Sequence, residues 1–500
     1  MRLHLEGNIN TYYVQTLCMI FFPGSKFSEE AQTDPDAPAL DLCVSEDADG
    51  CSAHAVMSYH GKSVSADAHF SYRADLTRER TRKLAAGGAV MKAGEQLLGY
   101  RPSWGMMTGV RPAKLAMERL LQGKTPEQTV EALTEEFFAL PKKAMLATEV
   151  AKREYEMLAG HSQKDCSLYV SIPFCPTRCA YCSFVSYTSQ RLLSLIPEYL
   201  DTLCEDIHRL LSKIKDMGLN LKTVYIGGGT PTILEPDQLR KLLYTIGSGC
   251  DVSSLEEFTL ESGRPDTITL EKFRVAREYG VGRVSVNPQT LSDEVLSRIG
   301  RDHTTEQFLR AFDAAREAGI PCINTDLIAG LPGDHFANFS HSLDKILELR
   351  PENLTVHTFC VKKAADILHQ DDNVYSLHGG DAGKCVDYSQ IRAPMKGYVP
   401  YYMYRQKNTV GNFENVGFSL PGYEGRYNVY MMEEFHSVFA AGAGAVTKAV
   451  EYTPDGSAPP KIARFFNHKY PFEYLRDRET ELSTKLEFIE TFYREKGLID

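Results

Sequence analysis

Residues Tyr169 to Phe184 read YVSIPFCPTRCAYCSF, and on this stretch the fold turns. An apolar run, Leu168 to Ile172, gives way to a proline-interrupted loop carrying Cys175, Cys179 and Cys182. The spacing is C-x3-C-x2-C. Three thiolates on one short loop can hold three irons of a [4Fe–4S] cluster and leave the fourth without a protein ligand, the counterpart of a catalytic metal site with an open position. A structural zinc ion usually closes with four ligands, and the loop offers no His or fourth Cys, so zinc is the weaker reading. Three small buried thiols are the bland alternative.

Outward from this loop the hydrophobic period changes repeatedly. Apolar runs recur at Leu168–Ile172, Thr223–Ile226, Phe258–Leu260, Arg283–Val286, Cys322–Ile328 and Leu354–Phe359, with helical stretches between them. The clearest helix repeats apolar residues at Ile196, Leu200, Leu203, Ile207, Leu210 and Ile214, a 3.6-residue stripe. Strand then helix, about six times over, predicts an α/β fold: parallel strands, right-handed crossovers and a partial (βα)6 TIM-like barrel over residues 161–365. In such barrels chemistry sits at the C-terminal ends of the strands.

Residues 1–160 read as an α+β accessory domain. Thr11 to Phe22 and Ala53 to Tyr59 are strand-like runs, and the stretch Phe27 to Gly61, without Lys or Arg, reads as a solvated acidic loop. Thr125 and Pro126 are N-cap and first residue of a helix. RERTRK at 78–83 is a charged helix face, and RPSWGMMTGVRP at 101–112, with the single Trp, is a structural turn. Residues 366–500 form a looser α+β region, rich in Tyr, Asn and Gly, expected to cover a substrate.

The 500 residues carry 55 Lys plus Arg against 66 Asp plus Glu, a formal charge of −11, which disfavours nucleic acid and polybasic membrane anchoring. Val14 to Phe22 is too short to span a bilayer, and MRLHLEGNINTYY lacks the apolar core of a signal peptide. A cytoplasmic protein is expected, with its other nine cysteines mostly small buried hydrophobes.

Each further motif follows a strand. YIGGGTP (225–231) brings Gly227, Gly228, Gly229 and Thr230 one βα unit after the cysteines; without Cβ atoms its backbone can approach a ligand closely. TLESGRPD (259–266) ends the third strand with Glu261. VSVNPQT (284–290) holds Gln289, GRDHT (300–304) holds Arg301, and NTDLIAGLPGD (324–334) buries Asp326 in an apolar strand, where a charge needs a partner. Cys360 follows the sixth strand. With TGVRPAKL (108–115), YRQKN (404–408) and ENVGF (414–418), these motifs resemble the radical S-adenosylmethionine (SAM) superfamily, and within it the oxygen-independent coproporphyrinogen III dehydrogenases, in the longer form with an N-terminal extension.

The resemblance implies a [4Fe–4S] cluster on Cys175, Cys179 and Cys182, with SAM bound to it. It implies that Tyr169 stands beside SAM, Tyr181 near adenine, the glycine turn of Gly228, Gly229 and Thr230 at the methionine amino group, and Glu261 at the ribose hydroxyls. Arg301 would meet a SAM carboxylate. Gln289, Arg301, Asp326 and Cys360 would surround a second SAM molecule. Arg405, Lys407 and Arg426 are candidate partners for substrate propionates. The implied activity is oxidative decarboxylation of coproporphyrinogen III to protoporphyrinogen IX, with a reducing partner such as flavodoxin or ferredoxin. One departure stands out. The dehydrogenases have a fourth cysteine where this chain has Phe184, and the haem-chaperone branch shares that change. An apolar wall beside the cluster is expected of Phe184. A haem-transfer protein, and a radical SAM enzyme acting on another tetrapyrrole, are the rival functions.

Overall fold

The structure is a computed structural model and describes residues 1–29, 34, 36–109, 111–182, 184–360, 380–406, 409–453 and 460–499. They fall into two compact units, one built on Met1–Lys152 with Met403–Phe413, the other on barrel and C-terminal residues from Arg153 onward.

The first unit holds a four-stranded sheet of β1 (Arg2–Glu6), β2 (Ala39–Glu46), β3 (Gly50–Tyr59) and β4 (Lys62–Ser71), in that order. β1 runs parallel to β2, and the other pairs are antiparallel. Alternation along β3 buries Cys51, Ala53, Ala55 and Met57. The helix Arg78–Leu98, capped by Thr77 and closed by left-handed Gly99, packs against β3 and β4. Thr125 caps Pro126–Glu135 in a capping box with Gln128. Trp104, Met106 and Met107 are buried, as a structural turn requires.

Two expectations fail here. Thr11–Phe21 is a helix, not a strand: Asn10 accepts the Tyr13 N–H at 2.9 Å, and Val14, Leu17, Cys18 and Phe21 face the core at helical spacing. The acidic stretch is not all loop, because β2 lies within it. Its alternating side chains bury Leu40, Leu42 and Val44 while Asp41 and the terminal Glu46 keep contact with water.

The second unit contains the predicted barrel. β5 (Asp165–Ile172), β6 (Asn220–Gly228), β7 (Glu257–Glu261), β8 (Arg283–Ser285), β9 (Cys322–Ala329) and β10 (Asn353–Thr358) are parallel neighbours in sequence order. Helices cross between successive strands; in the first, Ile196–Asp216, every residue of the apolar stripe is buried. The C-terminal region extends both edges of this sheet. Beyond β10 come β12 (Glu414–Ser419), antiparallel to it, and β11 (Val399–Arg405). Beyond β5 come β13 (Ser437–Ala441), parallel to it, then β14 (Val446–Glu451) and β15 (Lys461–Phe466), both antiparallel. Among the described residues no helix is long and apolar enough to cross a membrane.

Candidate active site

The cysteine loop leaves the C-terminal end of β5, and the glycine turn leaves that of β6 beside it. Backbone bonds tie them together: Gly229 N–H donates to Ile172 O and Thr230 N–H to Phe174 O, both at 2.8 Å. Thr230 Oγ1 lies 3.2 Å from Cys175 Sγ. A Cβ on Gly229 would sit 2.5 Å from Phe174 O and 3.0 Å from Cys175 Sγ, and one on Gly227 would sit 2.7 Å from Glu261 Oε2. Gly228 adopts φ 111°, a conformation that side chains resist. The turn is therefore glycine for space as well as for conformation.

The loop's later part is held from the other side. Ala180 N–H donates to Ile299 O and Cys182 N–H to Cys179 O, both at 3.0 Å. Arg264, buried and paired bidentately with Asp266, donates to Thr177 O at 3.1 Å and faces Cys179 Sγ at 3.8 Å. Arg301 is buried too. It donates from Nε and Nη2 to the Tyr181 hydroxyl at 3.1 and 3.0 Å, and from Nη1 to Gly263 O at 2.9 Å. These arginines pin the cysteine loop to the segment after β7. Burial pushes the Cys175 and Cys182 thiols up, so it takes a bound metal to hold them as thiolates.

Deeper in the barrel stand two carboxylates. Asp326, on β9, accepts from Asn287 Nδ2 at 2.7 Å and Asn324 Nδ2 at 2.8 Å, with His357 Nε2 at 3.7 Å. These are the partners its place in an apolar strand demanded. Glu261, at the end of β7, is pushed up to about 8 by burial and by the charge of Asp326, against bonds from Gly228 and Tyr225. Gln289 takes a left-handed φ of 69°, held by Gln289 N–H to Asp326 O at 3.0 Å and Ile328 N–H to Gln289 O at 2.9 Å. Its side chain is buried, and its Oε1 has no hydrogen-bond partner. A strained backbone presenting an unpaired buried oxygen is the mark of a group awaiting a ligand. Tyr169 lines up with Tyr225 and Tyr427, ring centroids 6.1 and 6.3 Å away, while those two stack at 4.5 Å.

Cys360 follows β10 and is half-buried. Phe184 does not form a buried wall: it is 66% exposed, with Val185 exposed beside it. The loop has turned back toward solvent by that point, so an apolar side chain there has nothing to cover it. Two of the propionate candidates, Arg405 and Arg426, are already paired. Arg405 is buried, donates to Met107 O and lies 5.8 Å from the Trp104 ring. Arg426 Nη1 donates to the Tyr430 hydroxyl at 3.3 Å and forms an ion pair with Glu256 at 3.7 Å, near the N-terminal end of β7. Lys407 lies outside the described residues. Sequence reasoning passed over Arg264, Asn287, Tyr225, Tyr427 and His303. His303 is buried and pushed down to about 4 by burial and the charge of Arg301. Arg264 and Asn287 each precede a Pro directly after a barrel strand, which was the available signal.

A cysteine loop, a glycine cradle and strand-end polar groups thus lie together at one end of a (βα)6 sheet. The model of the radical SAM superfamily matches residues 169–346. An oxygen-independent coproporphyrinogen-III oxidase-like protein, HemZ of Bacillus subtilis, is 36% identical over 400 residues, 79% of this chain and 78% of that protein. The heme chaperone HemW of the same organism is 33% identical over 317 residues, 63% of this chain and 80% of the relative. Among solved structures, the coproporphyrinogen III oxidase HemN of Escherichia coli is 21% identical with a TM-score of 0.48, covering 66% of this chain and 73% of that one. The chain belongs to the radical SAM superfamily and, within it, to the oxygen-independent coproporphyrinogen III oxidase-like proteins. Its cofactors are accordingly a [4Fe–4S] cluster and SAM. The donor set fits them: three thiols for the cluster, and a side-chain-free turn beside Cys175 with an unpaired amide oxygen for SAM.

Proposed function

We propose that this protein oxidatively decarboxylates coproporphyrinogen III to protoporphyrinogen IX in anaerobic haem biosynthesis. The observation that carries the reading is the likeness to a coproporphyrinogen-III oxidase-like protein over nearly four-fifths of both chains. When bound, the cluster and SAM supply one-electron hydrogen abstraction from a propionate side chain; each vinyl group formed releases carbon dioxide and one further electron. Cys175, Cys179 and Cys182 hold the cluster. Gly228, Gly229 and Thr230 receive the methionine amino group, and Glu261 the ribose hydroxyls, while Tyr169 and Tyr181 flank the ligand. Gln289, Arg301, Asp326 and Cys360 form the ground of a second SAM site. Arg301 and Arg264 keep the loop in place, and Asn287 and Asn324 hold Asp326 as an acceptor.

The C-terminal region, residues 366–500, covers the substrate in this reading. Tyr427 supports that, because it brings a C-terminal ring against Tyr225 inside the barrel. Residues 1–160 are an accessory domain, and a flavodoxin or ferredoxin supplies the electron in the cytoplasm. The test is an anaerobic assay with reconstituted cluster, SAM, reductant and coproporphyrinogen III, read by mass spectrometry. Vinyl products formed in step with 5′-deoxyadenosine support the dehydrogenase.

A second reading is a haem-transfer protein. Two observations favour it: the likeness to a heme chaperone, and an exposed Phe184 where the dehydrogenases have a cysteine. Haem bound about one per chain, with SAM cleavage independent of coproporphyrinogen, would decide for the chaperone.

A further inference from the structure

The N-terminal ends of the barrel strands carry a second constellation that cluster and SAM do not use. His161 and Asp165 lead into β5, and His436 immediately precedes β13, the strand that pairs with β5. His161 Nδ1 lies 3.1 Å from Asp165 Oδ2 and 3.0 Å from His436 Nε2. The three side chains are almost wholly buried: His436 at 0%, Asp165 at 4%, and the His161 side chain at 6%. All three ligand atoms lie within 4.8 Å of one another.

Hydrogen bonds alone leave this arrangement short of a proton while His161 is neutral. The Tyr430 hydroxyl donates to Glu256 Oε2 at 2.5 Å, so its oxygen can only accept from His161 Nε2 at 3.1 Å. In a neutral His161 ring the proton then sits on Nε2, and Nδ1 presents a lone pair. That lone pair faces the Asp165 carboxylate, which has no proton to give, while His436 Nε2 approaches the same point. Asp165 already accepts from Ser162 N–H at 3.0 Å and Asn220 Nδ2 at 2.9 Å, which orient its oxygens. Without an ion, only a second proton on His161, at Nδ1 and shared between Asp165 and His436, relieves both contacts; an ion at that point takes its place.

We infer that His161 Nδ1, His436 Nε2 and Asp165 form a site for a divalent transition-metal ion, zinc the best suited, that fastens β13 to β5. Two imidazoles and a carboxylate are a ligand set zinc accepts, and atoms at its usual bond lengths in a tetrahedron stand roughly 3.3 Å apart, close to the two spacings at His161 Nδ1. The ion lies between the lone pairs and turns both contacts at Nδ1 into ligand–ligand spacings. Tyr430 and Glu256 then fix the tautomer of His161 from outside the ligand shell, the arrangement metal-bound histidines favour. Lys222 Nζ, 3.2 Å from Glu256, balances the outer carboxylate. The site is separate from the cysteine loop, which leaves the other end of β5.

The experiment uses the full chain with its cluster reconstituted anaerobically, so that the cysteines are occupied. The protein is dialysed against zinc chloride, washed through a desalting column and assayed for zinc and iron together. About one zinc per chain is expected beside the irons, with X-ray absorption of the zinc showing nitrogen and oxygen neighbours and no sulfur. The double variant His161→Gln with His436→Gln should lose the zinc and keep the iron, and Tyr430→Phe should bind zinc roughly tenfold more weakly. Zinc should raise the Tm of the wild type and leave that of the double variant unmoved. The inference is overturned if the wild type retains no zinc, if the zinc has sulfur neighbours, or if the double variant, folded by circular dichroism, retains it equally. The absorption measurement needs only wild-type protein, so a variant that fails to fold does not shield the idea.

Discussion

The two ends of the barrel handle buried polar groups in opposite ways. At the C-terminal ends of the strands the groups are held apart and left open: Gln289 Oε1 has no partner among the described residues, two glycines clear space beside Cys175 and Glu261, and two arginines brace the walls. At the N-terminal ends they converge, His161, Asp165 and His436 crowding one point. The difference teaches how a large ligand and a small one are recognised. A nucleoside-sized molecule needs a cradle of unfilled volume with its donors and acceptors at the rim. A single ion needs only lone pairs brought to a common centre, and leaves no cavity behind.

The sharpest way to break this contrast is to remove the cysteines. Replacing Cys175, Cys179 or Cys182 by Ala should abolish the content of about four irons and four sulfides per chain, measured after anaerobic reconstitution. The same assay on Cys166→Ala or Cys204→Ala should give full iron. A cysteine-loop variant that reconstitutes normally would mean that the open end does not hold the cluster.

Next in size is the activity of the second carboxylate. Asp326→Ala leaves Asn287 and Asn324 without their acceptor and removes the charge that faces Glu261. Product formation from coproporphyrinogen III should stop while iron content stays intact, and the full assay with iron analysis reads both. Arg301→Ala should behave likewise.

SAM affinity should respond more gently. Glu261→Ala removes one hydrogen bond, a loss of roughly 0.5–1.5 kcal/mol, or up to about one power of ten in Kd. Equilibrium dialysis with labelled SAM checks this, and unchanged affinity would take Glu261 out of the site.

A last expected effect is on stability against pH. The Glu261 carboxyl is raised to about 8 in the folded chain, so the folded state holds a proton that the unfolded chain releases near its ordinary value. Folding is therefore penalised progressively as pH rises from about 4.5 to about 8, because the folded state binds more protons over that window. Glu261→Gln removes the penalty. Its Tm relative to wild type should climb between pH 5 and pH 8, and a constant difference would show that Glu261 is ionised throughout.

Much of this was legible in the chain before any tertiary contact was known. The six strands, the apolar stripe of Ile196–Asp216 and the cap at Thr125 depend on side-chain period and local hydrogen bonds, which neighbouring residues determine. The cysteine triad and the glycine turn were legible because spacing alone limits what they can ligate or admit. Where local signals compete, reading failed: Thr11–Phe21 has β-prone residues yet obeys the helical spacing of its buried face, and β2 hides in a stretch whose charge suggested a loop.

What only the tertiary structure decided are relations between residues far apart in the chain. Nothing in the sequence says that Arg264 reaches Cys179, 85 residues away, or that Arg301 clasps Tyr181, 120 residues away. Nothing says that β13 returns to lie beside β5, and so brings His436 to His161 across 275 residues. Sequence periodicity reports which face of an element is buried; it does not report which element buries it. The cluster loop was visible because its ligands share one short segment. The histidine site was invisible because its ligands meet only when the sheet adds its parallel C-terminal strand.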